Sequence, residues 1–463
     1  MIATKKFICF LLTLTLIPLY CACSSGETAD SGQLTYYYTA EYPDDMTETI
    51  KRYNRWCTSH STEDMKINLI EFENYETMSQ RLNIEVMAGG GPDLFSNYQD
   101  LPFEKMIQNG AFYDLNELIE NDTSEDKLDL SLYNQTILDA GVYDGKRYFI
   151  PAFFSVPVLV GEKGVFEAYD MPTEQGYRLT FDNMDEVFAD YLQDPSEYRC
   201  ITNEAQSSGI TADNLILRLV NTQIDYENKT CSFDEDFKEK LELLTALRKQ
   251  SEISLSEASG VSASDSGNAY LFPSILSHSN PIWMEWLTDL PEGVDFALKV
   301  KEPVLYSCFE KDETTYSAAI ADALFVNAAT KKEDKVSAFL KYLLGNHLQN
   351  LYTGTDEEYW AGGGGDYLPV LNSAFESCIR TAYNRIGAYG EDLGDKEELS
   401  PTTMALIDHI EHINSVDLYA DLYRSNYDRN VAIPILQNYW DGKIDADKCA
   451  DDLSSATRIY LLE

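Results

Sequence analysis

Between residues 34 and 110 the chain switches repeatedly between the period of a strand and the period of a helix, and this alternation constrains the fold more than any other feature. Residues 34–39 read as a Tyr-rich strand, 46–59 as a helix, and 66–72 as a strand alternating apolar with polar. A helix over 75–88 is stopped by Gly89-Gly90-Gly91-Pro92. A short strand at 93–96 and a helix at 103–108, ended by Asn109-Gly110, complete a βαβαβ unit. Such a unit makes a parallel sheet with helices on its faces, and ligands bind at the carboxyl ends of its strands. That rule points to the loops 40–45 and 97–101. Tyr38 and Glu41 follow the first strand; Asn97, Tyr98 and Asp100 follow the third. Their structural alternatives are a Tyr38 packed in the core and an Asp100 capping the next helix.

Further along, Asp144-Gly145 is the turn of a hairpin. Residues 156–160 are strand-like, and helices are predicted at 165–169, 182–192, 212–220 and 234–249. Residues 252–268, rich in Ser and Ala, read as a surface loop. Trp283 and Trp286 stand three apart, the spacing of one helical face, and either fill a core or reach a ligand. A strand at 323–327 and a helix at 332–344 precede a largely helical remainder. Tyr359 and Trp360 sit just before the four glycines of 361–365; aromatic rings on such a loop suit the lid of a cleft better than a core.

The first 22 residues have the layout of an export signal. Lys5 and Lys6 precede an apolar run from Phe7 to Leu19, shorter than the ~20 residues of a spanning helix. Cys23 follows Ala22 as at a bacterial lipoprotein processing site, although Tyr20 and Cys21 depart from the usual residues; ordinary cleavage leaving a free chain is the alternative. Residues 23–33 then read as a flexible tether. With 35 basic against 78 acidic residues the net charge is −43, which argues against nucleic acid and against electrostatic adsorption to anionic lipid. Of nine cysteines, Cys57, Cys200, Cys231, Cys308, Cys378 and Cys449 remain after processing. None forms a CxxC, so zinc is not indicated; most read as buried thiols, with Cys200–Cys231 a candidate bridge. The length suggests two or three domains.

Several segments together resemble the extracellular solute-binding proteins of ABC transporters, the carbohydrate-type family 1 that includes maltose-binding protein, in its Gram-positive lipoprotein form. They are, in order, Ala88-Gly89-Gly90-Gly91-Pro92-Asp93-Leu94-Phe95, the stretch 109–115, Tyr143-Asp144-Gly145-Lys146-Arg147-Tyr148 through Pro151, the strand and helix of 323–344, the turn 366–372, and the C-terminal 442–463. Residues 154–163 lack the family's frequent Tyr-Asn-Lys, and 384–417 match nothing in it.

The resemblance implies an α/β, two-lobe, type II periplasmic-binding-protein-like fold with a hinge between lobes and the ligand cleft at their interface. The expected lobes are 34–153 plus 268–325 and 154–267 plus 326–463. It also implies a small-molecule ligand, a sugar or oligosaccharide, with permease subunits and a cytoplasmic ATPase as partners. The chain would be a monomer at the outer face of the cytoplasmic membrane, attached through its N-terminal lipid alone, with no cofactor and no catalytic residue. The expected ligand contacts are Tyr38, Glu41, Asn97, Tyr98, Asp100, Trp283, Tyr359 and Trp360, with Ser155 a lining residue by resemblance only. Rings that stack on sugar faces and Asp, Asn or Glu that bond hydroxyls are what such a site needs.

Two local patterns stay outside this reading. Gly89–Gly91 lack the Lys-Ser/Thr of a phosphate loop and read as helix termination. His409 and His412 stand three apart without a third ligand and read as a solvated helix face. A secreted acidic glycoside hydrolase remains the alternative, since 78 acids neither support nor exclude a catalytic pair. A surface adhesin or sensor on the same fold is another.

Overall fold

The computed structural model describes residues 32–40, 45–96, 101–193, 210–226, 228–258, 282–287, 302–351, 368–384, 398–416 and 424–462. The expected signal, Cys23 and most of the tether lie outside these residues, as do Cys200 and the four-glycine loop.

The parallel sheet forms as the periodicity predicts. Strands β1 (Leu34–Thr39), β2 (Ile67–Phe72) and β3 (Leu94–Ser96) lie in the order β2-β1-β3, crossed over by helices α1 (Asp45–Ser59) and α2 (Tyr75–Met87). In α1 the residues Met46, Ile50, Tyr53 and Cys57 recur at three- and four-residue intervals, and all are buried. Asn74 caps α2, its Oδ1 accepting from Thr77 N at 2.9 Å. The glycines end the same helix. Gly90 N donates back to Glu85 O at 2.8 Å, while Gly89 and Gly91 adopt φ of 77° and 87°.

A tight hairpin comes next, β4 (Val142–Tyr143) and β5 (Lys146–Arg147), with Asp144 and Gly145 at φ of 51° and 78°. Arg147 ties it down: Nη2 pairs with Asp139 at 2.7 Å and Nε donates to Asn116 Oδ1 at 3.1 Å. Strand β6 (Phe149–Glu162) is then buried along nearly its whole length, as its continuous apolar run requires. The later strands are β7 (Tyr177–Thr180), β8 (Ile282–Leu287), β9 (Pro303–Glu310) and β10 (Ser317–Val326). The first half of β6 pairs antiparallel with β10, from Phe149↔Phe325 to Ser155↔Ala319. Its second half pairs antiparallel with β8, from Val156↔Leu287, and with β9, from Val158↔Ser307.

Two apolar cores follow from this division. The first holds Tyr36, Phe95, Phe149, Phe154, Ile320 and Phe325. The second holds Leu159, Val304, Tyr306 and Phe309, covered by α3 (Ala212–Thr222) and α4 (Glu235–Ala258). Core membership differs from the expected lobe ranges. Val304, Tyr306, Cys308 and Phe309, expected in the first lobe, pack in the second core, while Leu305 between them packs in the first. Helices α5 (Glu333–Leu343) and α6 (Pro401–Glu411), expected in the second lobe, bury Phe339, Leu406 and Ile410 in the first. The reason lies in the strand pairing. β10 pairs with β3, Leu324 opposite Ser96, so the chain has already returned to the first sheet and the next helix covers it. The C-terminal segment rejoins the second core, through Tyr427 and Ala432 and then through Leu436 and Leu453 of helices α7 (Ile433–Trp440) and α8 (Ala446–Tyr460).

Two further expectations are corrected. Trp283 and Trp286 lie in strand β8, opposite Val160 and Pro157, and not on a helix. Helix α4 runs on to Ala258, through the first seven residues of the stretch read as a loop, the rest of which lies outside the described residues; no Gly or Pro interrupts it before Gly260. Cys231 stands as a free thiol, its Sγ 3.8 Å from Ser454 O, and its expected bridge partner Cys200 lies outside the described residues. Among the described residues, no helix is long and apolar enough to cross a membrane.

Candidate functional site

Strand directions locate the site. β6 runs parallel to β1, β2 and β3 and passes from the first core into the second. The carboxyl ends of β1–β3 therefore face the second core. β9 runs antiparallel to β6, and β7 is parallel to β9, so their carboxyl ends face the first core. The two sets of strand ends oppose one another across the level where β6 and β10 cross. Ligands of α/β sheets bind at such edges.

On the first edge, Tyr38 and Glu71 sit directly opposite in the β1–β2 ladder, and the Tyr38 hydroxyl donates to Glu71 Oε2 at 3.0 Å. Partial burial, followed by this carboxylate, raises the Tyr38 pKa above its ordinary value of 10, so the hydroxyl stays a donor at neutral pH. Glu71 was not singled out from the sequence; its place one residue before the end of an alternating strand was the available signal. The expected contacts Glu41, Asn97, Tyr98 and Asp100 lie outside the described residues, as do Tyr359 and Trp360. Ser155 stands at the crossing level, the last β6 residue paired to β10 before Val156 pairs to β8, and is 5% exposed. Trp283 occupies β8 in the second lobe, opposite Val160.

On the second edge, the loop after β9 is fastened by its own hydrogen bonds. Thr314 N donates to Asp312 Oδ1 at 2.8 Å, and Tyr316 N donates to Asn414 Oδ1 at 2.9 Å. The Thr314 hydroxyl, at 2.7 Å, then Thr314 N and the Thr315 hydroxyl donate to the Asp312 carboxylate and hold its pKa below the usual range. Arg178 from β7 lies over the ring of Tyr316, Cζ 3.8 Å from its centroid. The two edges thus present a carboxylate and two tyrosines, an acceptor, hydroxyl groups and apolar ring faces of the kind that hold a hydroxyl-rich ligand, while Nε and Nη2 of Arg178 are buried.

His409, read as solvated, is 6% exposed. Its Nε2 donates to Ser317 O at 2.9 Å, and burial pushes its pKa down to about 4, so the ring is neutral. His412 is exposed. Among the described residues, no cluster of three Cys, His, Asp or Glu side chains is arranged to hold a metal.

Neither a protein-family model nor a curated protein matches the sequence. Solved structures do. One is an ABC substrate-binding protein of Listeria monocytogenes in complex with cycloalternan, at 15% identity, covering 93% of this chain and 98% of that one with a TM-score of 0.57. Another is a cyclic α-maltosyl-1,6-maltose binding protein of Arthrobacter globiformis, at 16% identity, covering 93% and 98% with a TM-score of 0.54. A third is the sugar-binding protein MalE of Xanthomonas citri, at 12% identity, covering 93% and 97% with a TM-score of 0.55. At these identities the likeness defines the fold: the chain has the two-lobe α/β fold of these solute-binding structures.

Proposed function

We propose that this protein is a carbohydrate-type extracellular solute-binding protein. It captures a sugar or oligosaccharide between its lobes and hands it intact to an ABC permease. The observation that carries this reading is the opposition of two sets of strand carboxyl ends across the through-running strands β6 and β10. That arrangement frames a ligand site while leaving the lobes able to bend about it. The likeness to structures described as binding cycloalternan and cyclic maltosyl-maltose supports a glucan-like ligand. Tyr38 and Glu71 contribute from the first lobe, Tyr316, with Arg178 over its ring, from the second, and Ser155 lines the crossing. Glu41, Asn97, Tyr98, Asp100, Trp283, Tyr359 and Trp360 complete the proposed contacts. Export and lipidation at Cys23 hold the protein as a monomer at the outer face of the membrane. The proposed lobes are 34–154 plus 317–413 and 156–310 plus 427–461, with strands β6 and β9 shared between the cores, since Val156, Val158, Val160 and Leu305 pack in the first and Leu159, Val304 and Tyr306 in the second.

The test is a thermal-shift screen of the mature protein against linear and cyclic α-glucans, chitin oligosaccharides, monosaccharides, amino acids and peptides. A ligand at 100 times its dissociation constant adds about 2.7 kcal/mol. One saccharide class raising the midpoint, with the sugar recovered uncleaved, is the expected result. Recovery of a cleaved sugar refutes the transport role in favour of hydrolysis, and stabilisation by amino acids or peptides alone refutes the carbohydrate assignment.

A further inference from the structure

Where β9 leaves the second core and the chain returns as β10 into the first, one carboxylate is fully enclosed. Glu310, the last residue of β9, is 0% exposed. A bulge puts it there: pairing with β7 advances from Ser307↔Arg178 to Glu310↔Thr180, one extra residue on β9, and Phe309 within it adopts φ of 51°. A positive φ is strained for a bulky side chain and persists only where its surroundings enforce it. The enclosed carboxylate accepts from Ser317 N at 3.0 Å and from the Ser317 hydroxyl. Ser317 is the first residue of β10. His409 Nε2, bonded to Ser317 O, stands 3.9 Å from Glu310 Oε1. Arg218 of α3 approaches from the second core, its Nη1 donating to Cys308 O at 3.2 Å. Nε and Nη2 of Arg178 are buried without a hydrogen-bond partner, although the guanidinium lies near enough to act on Glu310.

This cluster joins elements of both cores. Glu310, Arg178 and Arg218 come from strands and a helix packed in the second, whereas Ser317 opens a strand and His409 rides a helix packed in the first. Any rotation of one lobe against the other changes these distances. A buried carboxylate carries a high cost for losing its partners, and the two buried Arg178 nitrogens without a hydrogen-bond partner offer a second set.

We propose that Glu310 and Ser317 form a hinge latch that sets the balance between open and closed lobes, so that Glu310 is a positioning residue for ligand capture without touching the ligand. The proposal rests on the two-lobe capture reading above, but its first test needs no ligand. Small-angle scattering of the ligand-free mature protein, with Glu310→Gln, Ser317→Ala and Ser317→Thr, reads the separation of the lobes directly. Circular dichroism establishes which variants are folded. The expected result is a shifted radius of gyration for Glu310→Gln and Ser317→Ala, with wild-type values restored in Ser317→Thr, which keeps both donors. Cycloalternan affinity is then expected to change by at least about fivefold in the two shifted variants. Should Glu310→Gln fail to fold, Ser317→Ala decides. Folded variants with wild-type scattering overturn the latch. A wild-type protein that binds no sugar, with the scattering shift intact, overturns the capture reading and leaves the latch standing.

Discussion

Tyr38 and Glu71 face each other across the β1–β2 ladder, and the Tyr38 hydroxyl spends its proton on the Glu71 carboxylate at 3.0 Å. That bond orients the carboxylate at the edge of the first sheet and leaves its remaining lone pairs for a ligand hydroxyl. Hydrogen bonds to a charged group contribute about 1.5–3 kcal/mol, so Glu71→Gln is expected to weaken sugar binding roughly tenfold or more. Tyr38→Phe keeps the ring and loses the orienting bond, so its loss should be smaller than that of Tyr38→Ala. Titration calorimetry on the sugar found by screening ranks the three. Equal affinities for all would remove this pair from the site.

Asp93 is the corresponding structural tie. It accepts from Thr35 N and Oγ1 at 3.0 and 2.9 Å, from Thr330 Oγ1 at 2.7 Å and from Lys332 Nζ at 3.1 Å. One carboxylate thereby joins β1, the start of β3 and the approach to α5. Asp93→Ala strands these donors in a largely buried place and should destabilise the first lobe by about 3 kcal/mol. Urea unfolding measures this; a loss within about 0.5 kcal/mol would show that water replaces the carboxylate.

The first lobe was legible because its periodicity reports burial directly. The strands read at 34–39 and 93–96 are observed at Leu34–Thr39 and Leu94–Ser96, since the apolar residues Leu34, Tyr36, Leu94 and Phe95 are the buried ones. β8 was misread because a short apolar segment with two tryptophans fits either period, and only its pairing with β6 decides. The expected first crossover at 153/154 falls where β6 passes from its pairing with β10 to its pairing with β8, whereas the core that a later helix covers depends on which sheet the preceding strand joins. His409 could have been found. Thr402, Leu406, His409 and Ile413 fall at the spacing of one helical face, and all four are buried. The loops expected to carry most of the pocket lie in residues 97–100 and 352–367, whose reading still rests on sequence.

The thiols should separate sharply by reactivity. Burial pushes the Cys308 pKa far up and that of Cys449 up to about 12, and Cys57 is buried too. Cys231 is half-buried. Because only the thiolate reacts, Cys231 is expected to label first with Ellman's reagent among the five described thiols, the other four reacting on unfolding. Mass mapping after a brief pulse checks the order, and early labelling of Cys308 would contradict the enclosed β9 described above.

His409 makes stability depend on pH in a direction the structure fixes. Its pKa falls from 6.5 unfolded to about 4 folded, chiefly through burial, opposed by the bond to Ser317 O and aided by Arg178. Between these values the unfolded chain binds a proton that the native protein does not, so this residue's contribution to stability is lost as pH falls from 6.5 toward 4. The loss is at most about 3 kcal/mol. Glu310 acts oppositely: burial raises its pKa, so the native protein holds the extra proton, and that contribution fades as pH rises above 4.5. The two partly cancel in the wild type. His409→Gln keeps a donor toward Ser317 O and removes one of them. Its stability, measured by urea unfolding from pH 4.5 to 7, should therefore fall with rising pH relative to wild type. Parallel profiles would mean that the ring takes up its proton inside the folded protein, with His409 moved off Ser317 to reach solvent.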